Sequence, residues 1–178
     1  RRHQSRGDEK TMNISHSYFA TFAFMKQLLY VAVDQPGVDI VHGDDVDGSL
    51  DGRQWRSARL FAVEGRDLRD PKLSVTPDGR LMVITGACLY EDRKMKTRDS
   101  RVAFSNDGKK WTPLATMRFK AANEHPTDGH WMWRVSWHKD RAYGVSKLLD
   151  PHRAILFTSK DWIQWQQVTR FAIPDDYH

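Results

Sequence analysis

The side chains best suited to chemistry in this sequence lie in the hexapeptide Asp67-Leu68-Arg69-Asp70-Pro71-Lys72. Proline fixes its own φ angle and favours an extended backbone for the residue before it, so the chain at Asp70 is predicted to be extended and stiff. Arg69 could bind a carboxylate, because a planar guanidinium donates two parallel hydrogen bonds to that group. The alternative is that Arg69 and Asp70 form a structural ion pair, and the residues alone leave both interpretations open.

A second candidate is Arg134, which lies in the aromatic run Trp131-Met132-Trp133-Arg134-Val135-Ser136-Trp137, followed by His138. Strand alternation predicts that Arg134 and His138 share one face and that the three tryptophans share the other. An arginine in such a strand is costly to bury without an anionic partner. Arg134 is therefore either a second ligand for a substrate carboxylate or the structural partner of an aspartate from a neighbouring sheet.

His16 and Asp34 form a third candidate group. His16 opens the first predicted strand, and Asp34 ends the second, next to Gln35-Pro36-Gly37. Burial would raise the pKa of an aspartate and let it act as a general acid. An aspartate beside proline and glycine also forms turns. Asp34 is thus either a catalytic acid or a turn residue.

Other classes of site find no support in the sequence. His125 and His130 lack the spacing of metal ligands and there is no glycine-rich phosphate loop, so we expect no metal and no cofactor. The formal net charge is +5, but basic and acidic residues are interspersed, which disfavours nucleic acid as a partner. No apolar run approaches the roughly 20 residues of a membrane span. Cys88 is the single cysteine and cannot form a disulfide within the chain.

The elements that must position these side chains are indicated by a repeated turn. The pattern Ser-x-Asp-Gly-x-x-Trp starts at residues 49 and 105, and a third copy that lacks the glycine starts at residue 159. Starting points 56 and 54 positions apart indicate structural repeats. Serine and aspartate bond nearby backbone groups, glycine adopts an angle that strains other residues, and the tryptophan can be buried in the next strand. In the third copy Trp162 replaces glycine, so that turn either has another shape or tolerates a strained angle. The pattern residues are Ser49, Asp51, Gly52, Trp55, Ser105, Asp107, Gly108, Trp111, Ser159, Asp161 and Trp165.

Each repeat is predicted to form four antiparallel strands. Apolar runs separated by turns such as Thr76-Pro77-Asp78-Gly79 predict hairpins. A helical period of useful length is absent, so the predicted fold class is all-β. Residues 1–15 are expected to be a disordered or trailing lead-in. The three sheets are expected at about residues 16–64, 68–120 and 130–173.

The repeated pattern resembles the Asp-box, or bacterial neuraminidase repeat, of sialidases and related β-propellers. The resemblance covers residues from about 16 to 171 and implies a propeller of the sialidase type, six-bladed when complete, with about three blades present here. The chain is therefore expected to be a fragment whose partners include the remaining blades, and its opening Arg1-Arg2 in place of methionine agrees. In that family the Asp-box lies at the blade periphery, so its residues are expected to be structural.

The same resemblance implies a function. Arg69-x-Pro71 looks like the Arg-x-Pro motif of sialidases, whose arginine belongs to a cluster of three that holds the substrate carboxylate. The expected activity is that of a sialidase-like glycoside hydrolase acting on acidic sugars, with its tyrosine and glutamate supplied by later blades. The alternative is a non-catalytic propeller that binds glycans or a protein partner. A carbohydrate ligand would meet His16, Arg69, Asp70, Arg134 and His138 at the first strands, and the family favours a secreted or periplasmic location.

Overall fold

The computed structural model describes residues 21–25, 28–35, 43–50, 53–54, 56–120, 129–149 and 152–171. His16, Asp51, Gly52 and Trp55 lie outside these residues, as does the predicted lead-in. The described residues form strands and turns without a helix, so they contain no helical membrane span. The strands are β1 (Thr21–Met25), β2 (Leu28–Gln35), β3 (Gly43–Ser49), β4 (Arg56–Phe61), β5 (Asp67–Val75), β6 (Leu81–Glu91), β7 (Lys94–Ser105), β8 (Ala115–Thr116), β9 (Arg118–Lys120), β10 (His130–His138), β11 (Arg141–Leu149), β12 (His152–Ser159) and β13 (Gln164–Phe171).

The described strands form three separate sheets. The first sheet has the order β1-β2-β3-β4, and the second has the order β5-β6-β7-β8. The third has five strands in the order β10-β11-β12-β13-β9. Consecutive strands within each sheet pair antiparallel, as in the blades of a propeller. The prediction of an all-β partial propeller is confirmed.

The inner strands of the sheets lie next to one another. Strand β5 contacts β1 on one side and β10 on the other, so the first strands of the three sheets adjoin. This arrangement places β1, β5 and β10 at the hub and the last strands of each sheet at the rim. Any site on the first strands is therefore shared between neighbouring sheets.

Two apolar clusters hold the sheets together, one on each face of the second sheet. Strand β6 contributes to both, because successive residues of a strand point to opposite faces. Leu81 and Val83 pack toward the first sheet, whereas Met82 and Ile84 pack toward the third. Burying one such side chain stabilises the fold by about 1.5–3 kcal/mol. The second sheet is thus the middle layer of the described residues.

The chain crosses from the second sheet to the third at the rim. After β8, the short strand β9 pairs parallel with β13, with Arg118 opposite Gln164 and Lys120 opposite Gln166. The sequence pattern predicted that its tryptophan, Trp111 in the second copy, would lie in the next strand. Instead, Trp111 makes a single bridge to Ser105, and the later strand β9 belongs to the next sheet.

The second and third repeated turns make the same hydrogen bonds. In the second, Gly108 N donates to Ser105 Oγ at 2.8 Å, and Lys110 N donates to Asp107 Oδ1 at 2.7 Å. The indole of Trp111 closes the turn by donating to Gly108 O at 3.0 Å. These bonds fold the link between two strands and aim the tryptophan at the apolar cluster between the first and second sheets.

The third turn keeps this shape without a glycine. Trp162 N donates to Ser159 Oγ at 2.8 Å, and Gln164 N donates to Asp161 Oδ1 at 2.7 Å. The φ angle of Trp162 is 64°, close to the 75° of Gly108 in the second turn. Of the two alternatives that the sequence left open, the structure has the strained angle.

Candidate functional site

Two inner strands carry a β-bulge at the same place. Strands β5 and β10 are nine residues long, and their pairing shifts between Arg69 and Lys72 in β5 and between Met132 and Val135 in β10. A bulge redirects side chains and is common beside active sites. Since β5 and β10 adjoin, the two bulges lie at corresponding points of neighbouring sheets. The paired bulges, as we call them, consist of Asp70 and Pro71 in β5 and Trp133 and Arg134 in β10.

The bulge in β5 places Asp70 in an unusual conformation. Its φ angle is 53°, in the left-handed region, so the prediction of an extended backbone at Asp70 is wrong. The bulge is the physical reason, because its extra residue leaves the extended path. Such angles cost a residue other than glycine about 1–2 kcal/mol. Strain of this kind clusters at functional sites, where the surrounding structure holds it in place.

Lys72 connects the two bulges. Its Nζ donates to the carbonyl oxygen of Asp70 at 2.6 Å and lies 5.0 Å from the centre of the Trp133 ring. The lysine is 5% exposed, so its charge depends on these contacts more than a surface charge would. A desolvated cation over an aromatic face contributes about 2 kcal/mol. Lys72 therefore holds the backbone of one bulge against the side chain of the other.

Arg69 pairs with Asp67, two residues earlier in β5. Arg69 Nε lies 2.7 Å and Nη2 lies 2.6 Å from Oδ2 of the buried Asp67 carboxylate. Burial lowers the pKa of Arg69, but the hydrogen bond and charge of Asp67 outweigh it and the pKa is raised. The guanidinium also lies 5.3 Å from the centre of the Tyr90 ring. Arg69 is thus held in one position with part of its side chain in solvent.

The bulge in β10 overturns the predicted alternation of that strand. Trp131 and Met132 are both buried, and the next two residues, Trp133 and Arg134, are both exposed. A bulge adds one residue, which breaks the two-residue period. Trp133 is 46% exposed, and Arg134 forms no ion pair with the part of the chain that the structure describes. Both side chains of this bulge are accessible to a ligand.

Strand β7 of the second sheet fixes the start of β10. The buried Arg98 donates from Nε to Gly129 O at 2.9 Å and from Nη2 to Lys147 O at 2.8 Å. Ser100 Oγ accepts a hydrogen bond from Met132 N at 2.9 Å. Burial lowers the pKa of Arg98. These bonds between sheets set the position of the Trp133 and Arg134 bulge relative to β5.

The structure separates some of the candidates that the sequence grouped together. Arg69, Asp70 and Arg134 lie on adjoining inner strands at the paired bulges. His138 ends β10, four residues beyond Arg134, or about 13 Å at the rise of a strand, so it does not join them. Asp34 lies in β2, paired in register with Asp44, and its side chain is outside the described part of the structure.

The sequence analysis assigned no role to three contributors to the site, Asp67, Lys72 and Tyr90, although two of them lie in the hexapeptide around Arg69. Asp67 could have been found, because residues two apart in a strand share a face and Arg69 is two positions away. Lys72 and Tyr90 could not have been found from the sequence. The contacts of Lys72 depend on the bulges, and the contact of Tyr90 with Arg69 depends on the pairing of distant segments. Cys88, paired in register with Asp67, is buried, and burial raises its pKa to about 11. A thiol with that pKa stays protonated at neutral pH and is a poor nucleophile.

The sequence matches no protein-family model and no curated protein. Solved structures do share the fold. A protein of unknown function from Dyadobacter fermentans matches with a TM-score of 0.69 at 15% identity, over 90% of this chain and 56% of that one. The family 32 β-fructofuranosidase of Bombyx mori matches with a TM-score of 0.59 at 16% identity, over 90% of this chain and 37% of the enzyme.

A third structure is a family 43 glycoside hydrolase from Xanthomonas citri in complex with xylotriose. It matches with a TM-score of 0.61 at 14% identity, over 85% of this chain and 54% of the enzyme. The chain therefore spans about half of these structures or less. At such low identity the similarity shows the fold. The chain is an all-β protein with the partial-propeller fold found in β-propeller glycoside hydrolases.

Proposed function

We propose that the chain is the sugar-binding part of a glycoside hydrolase and that its ligand lies across the paired bulges. The observation that carries this proposal is the equivalent position of the two bulges on adjoining inner strands. They bring a strained aspartate, an exposed aromatic ring and an exposed arginine to corresponding points of two adjoining inner strands. Clefts lined by aromatic surface and a few convergent polar groups are typical of small-ligand sites.

The residues would have distinct roles. Trp133 offers an apolar ring face on which a sugar can stack, and Lys72 keeps that ring in place. Asp70 would act on the sugar as a carboxylate, either accepting hydrogen bonds or stabilising the positive charge of an oxocarbenium-like transition state. Asp67 is bound to Arg69, which favours a positioning role for it. The second catalytic group would come from another inner strand of the intact protein.

The finer proposal is a preference for acidic sugars, as in a sialidase. It is supported by Arg134, which is exposed and has no ion-pair partner among the described residues. A guanidinium of this kind suits a substrate carboxylate, and Arg69 would be a second donor. The structures that match include a β-fructofuranosidase and an enzyme in complex with xylotriose, so neutral sugars belong in the same assay.

The non-catalytic alternative is a propeller that binds glycans without cleaving them. The engagement of two Arg69 nitrogens with Asp67 favours it, because that pairing uses a carboxylate that hydrolysis would otherwise employ. The same site residues serve both functions. Turnover by the intact protein separates them.

The test is an assay of the intact protein with fluorogenic sialosides, uronides, xylosides and fructofuranosides. Asp70→Asn should lower kcat by about 100-fold or more, because it removes charge stabilisation of the transition state. Arg134→Gln should raise KM about tenfold for acidic substrates only. Arg56→Gln is the control, since Arg56 is an exposed arginine on the rim strand β4.

Several outcomes would decide against parts of this proposal. Full activity of Asp70→Asn would remove Asp70 from catalysis. An equal effect of Arg134→Gln on acidic and neutral substrates would remove the acidic preference. Sugar binding that depends on Trp133, without turnover of any glycoside, would establish the non-catalytic function.

A further inference from the structure

A groove of about 410 Å³ lies at the rim of the third sheet, away from the paired bulges. It runs along the parallel strands β9 and β13. Phe119 and Trp165 point inward and pack toward the second sheet, so alternation turns their neighbours to the opposite, exposed face. The residues that line the groove are Arg118, Phe119, Lys120, Gln164, Trp165 and Gln166.

The exposed side chains of the groove form an ordered array. Arg118 pairs in register with Gln164, and Lys120 pairs with Gln166. Residues two apart in a strand are separated by about 6.6 Å, and paired strands by about 4.8 Å. Two cations therefore follow one side of the groove and two amides follow the other. We propose that this array, the rim groove, binds an anionic polysaccharide.

Within the described residues, no ion pair occupies the positive charges of the rim groove. Neither Arg118 nor Lys120 forms an ion pair with the residues that the structure describes. Asp161, three residues before Gln164, already accepts hydrogen bonds from Ile163 N, Gln164 N and Gln164 Nε2. The net charge of +5 adds a general attraction for polyanions.

The amides make a sugar a better ligand than a simple anion. Gln166 has no hydrogen-bond partner for its side chain among the described residues, and an amide can both donate to and accept from a hydroxyl. Arg118 and Lys120 would bind carboxylate or sulfate groups while Gln166 binds sugar hydroxyls. An acidic peptide would use the cations but offers the amide only its backbone N–H and C=O groups, whereas each sugar unit offers several hydroxyls.

The position of β9 keeps the rim groove at the edge of the fold. It is the fifth strand of its sheet, whereas the first and second sheets have four. This fifth strand makes the third sheet wider than the other two by about 4.8 Å, the spacing of paired strands. A ligand there would lie apart from the hub, so its binding is independent of the proposed hydrolase site.

Binding is tested with the intact protein by affinity electrophoresis in gels that contain polygalacturonate, dextran sulfate or neutral dextran. We expect retardation by one or both anionic polymers and none by dextran. The two anionic gels distinguish carboxylate from sulfate as the bound group. The double variant Arg118→Gln and Lys120→Gln should weaken binding about tenfold or more, because charge-assisted hydrogen bonds are lost.

The matched control is the double variant Lys109→Gln and Lys110→Gln. It removes the same charge from another rim turn, where the lysine side chains are exposed. The proposal requires near-normal binding by this control and weakened binding by Gln166→Ala, with melting temperatures unchanged in all variants. Equal weakening by both double variants would indicate general charge attraction and overturn the proposal.

A peptide competitor completes the test. Polyglutamate matches the anionic charge but offers Gln166 only backbone amide groups in place of the several hydroxyls of each sugar unit, so it should displace the polysaccharide poorly. Displacement by polyglutamate at the same charge concentration, with no effect of Gln166→Ala, would assign the rim groove to acidic peptides instead. Failure of hydrolase assays would not affect this result, because none of the rim residues lies at the paired bulges.

Discussion

Trp162 occupies the position that Gly108 holds in the preceding turn, at nearly the same φ angle. Its ring packs between sheets: the centroid lies 5.6 Å from Phe104 and 6.5 Å from Trp137, and the Arg80 guanidinium lies 5.0 Å from it. The ring thus makes contacts that glycine cannot make. We expect the packing to outweigh the strain of the backbone.

The magnitudes can be worked from this geometry. Replacing a fully buried tryptophan by alanine costs about 3–5 kcal/mol, and the half-buried Trp162 should lose about 2 kcal/mol. Trp162→Ala keeps a Cβ in the left-handed region, at a cost of about 1–2 kcal/mol that glycine avoids. Glycine loses about 0.5–1 kcal/mol through the entropy of the unfolded chain. Trp162→Gly should therefore be more stable than Trp162→Ala by about 0.5–1 kcal/mol, and both should be less stable than the wild type.

Denaturant unfolding followed by circular dichroism measures these differences in the intact protein. The control is the same pair of substitutions at Lys160, whose φ angle is not positive, where alanine should be the more stable variant. The reasoning is refuted if alanine is also the better residue at position 162. It is equally refuted if Trp162→Gly is as stable as the wild type.

Burial tends to raise the pKa of Asp161, but hydrogen bonds from the Gln164 and Ile163 N–H groups outweigh it and lower the pKa below the ordinary 3.8. The ionised Asp161 therefore stabilises the folded protein above pH 3.8, and this stabilisation is lost as the pH falls through the lower pKa of the folded state. Asp161→Asn should lower stability at pH 7 and flatten this acid loss, as measured by melting temperature against pH; an unchanged profile would contradict the assignment. Gly86→Ala should destabilise by about 1–3 kcal/mol in a melting experiment, because its Cβ would lie 2.6 Å from the buried Trp131 ring, and a neutral effect would mean that the ring moves freely. Cys88, with its pKa raised to about 11 by burial, should resist alkylation at pH 8 until the protein is unfolded, and rapid labelling of the native protein would refute this.

The sequence predicted the fold because the turn pattern depends on local bonds. Ser105 and Asp107 bond backbone groups two or three residues away, so their spacing is visible in the sequence. The three repeated sheets followed from that pattern, and the all-β class followed from the absence of a helical period. The strained angle at Trp162 could not be predicted, because the rings that pack against its side chain come from distant segments.

The candidate site was less predictable because bulges are not encoded by residue type. Asp70 was singled out, but its neighbouring proline suggested an extended backbone and the bulge makes it left-handed. In β10, perfect alternation would have put Arg134 opposite Trp133, and the bulge exposes both. The parallel pairing of β9 was also missed, since three residues carry too little pattern to show which sheet they join.

The parallel pairing of β9 with β13 changes where one structural unit of this protein ends and the next begins. Strand β9 belongs to one repeat by its place in the chain and to the next by its hydrogen bonds, whereas β8 just before it still pairs within the second sheet, so the chain links the second and third sheets at their outer edge. Detaching the third sheet would break the pairing of β9 with β13 as well as the packing between the faces of the second and third sheets. These two sheets should therefore melt in a single step. A shuffling or duplication event that preserved the fold would therefore have to cut inside the repeat, before β9, rather than at the apparent border between blades.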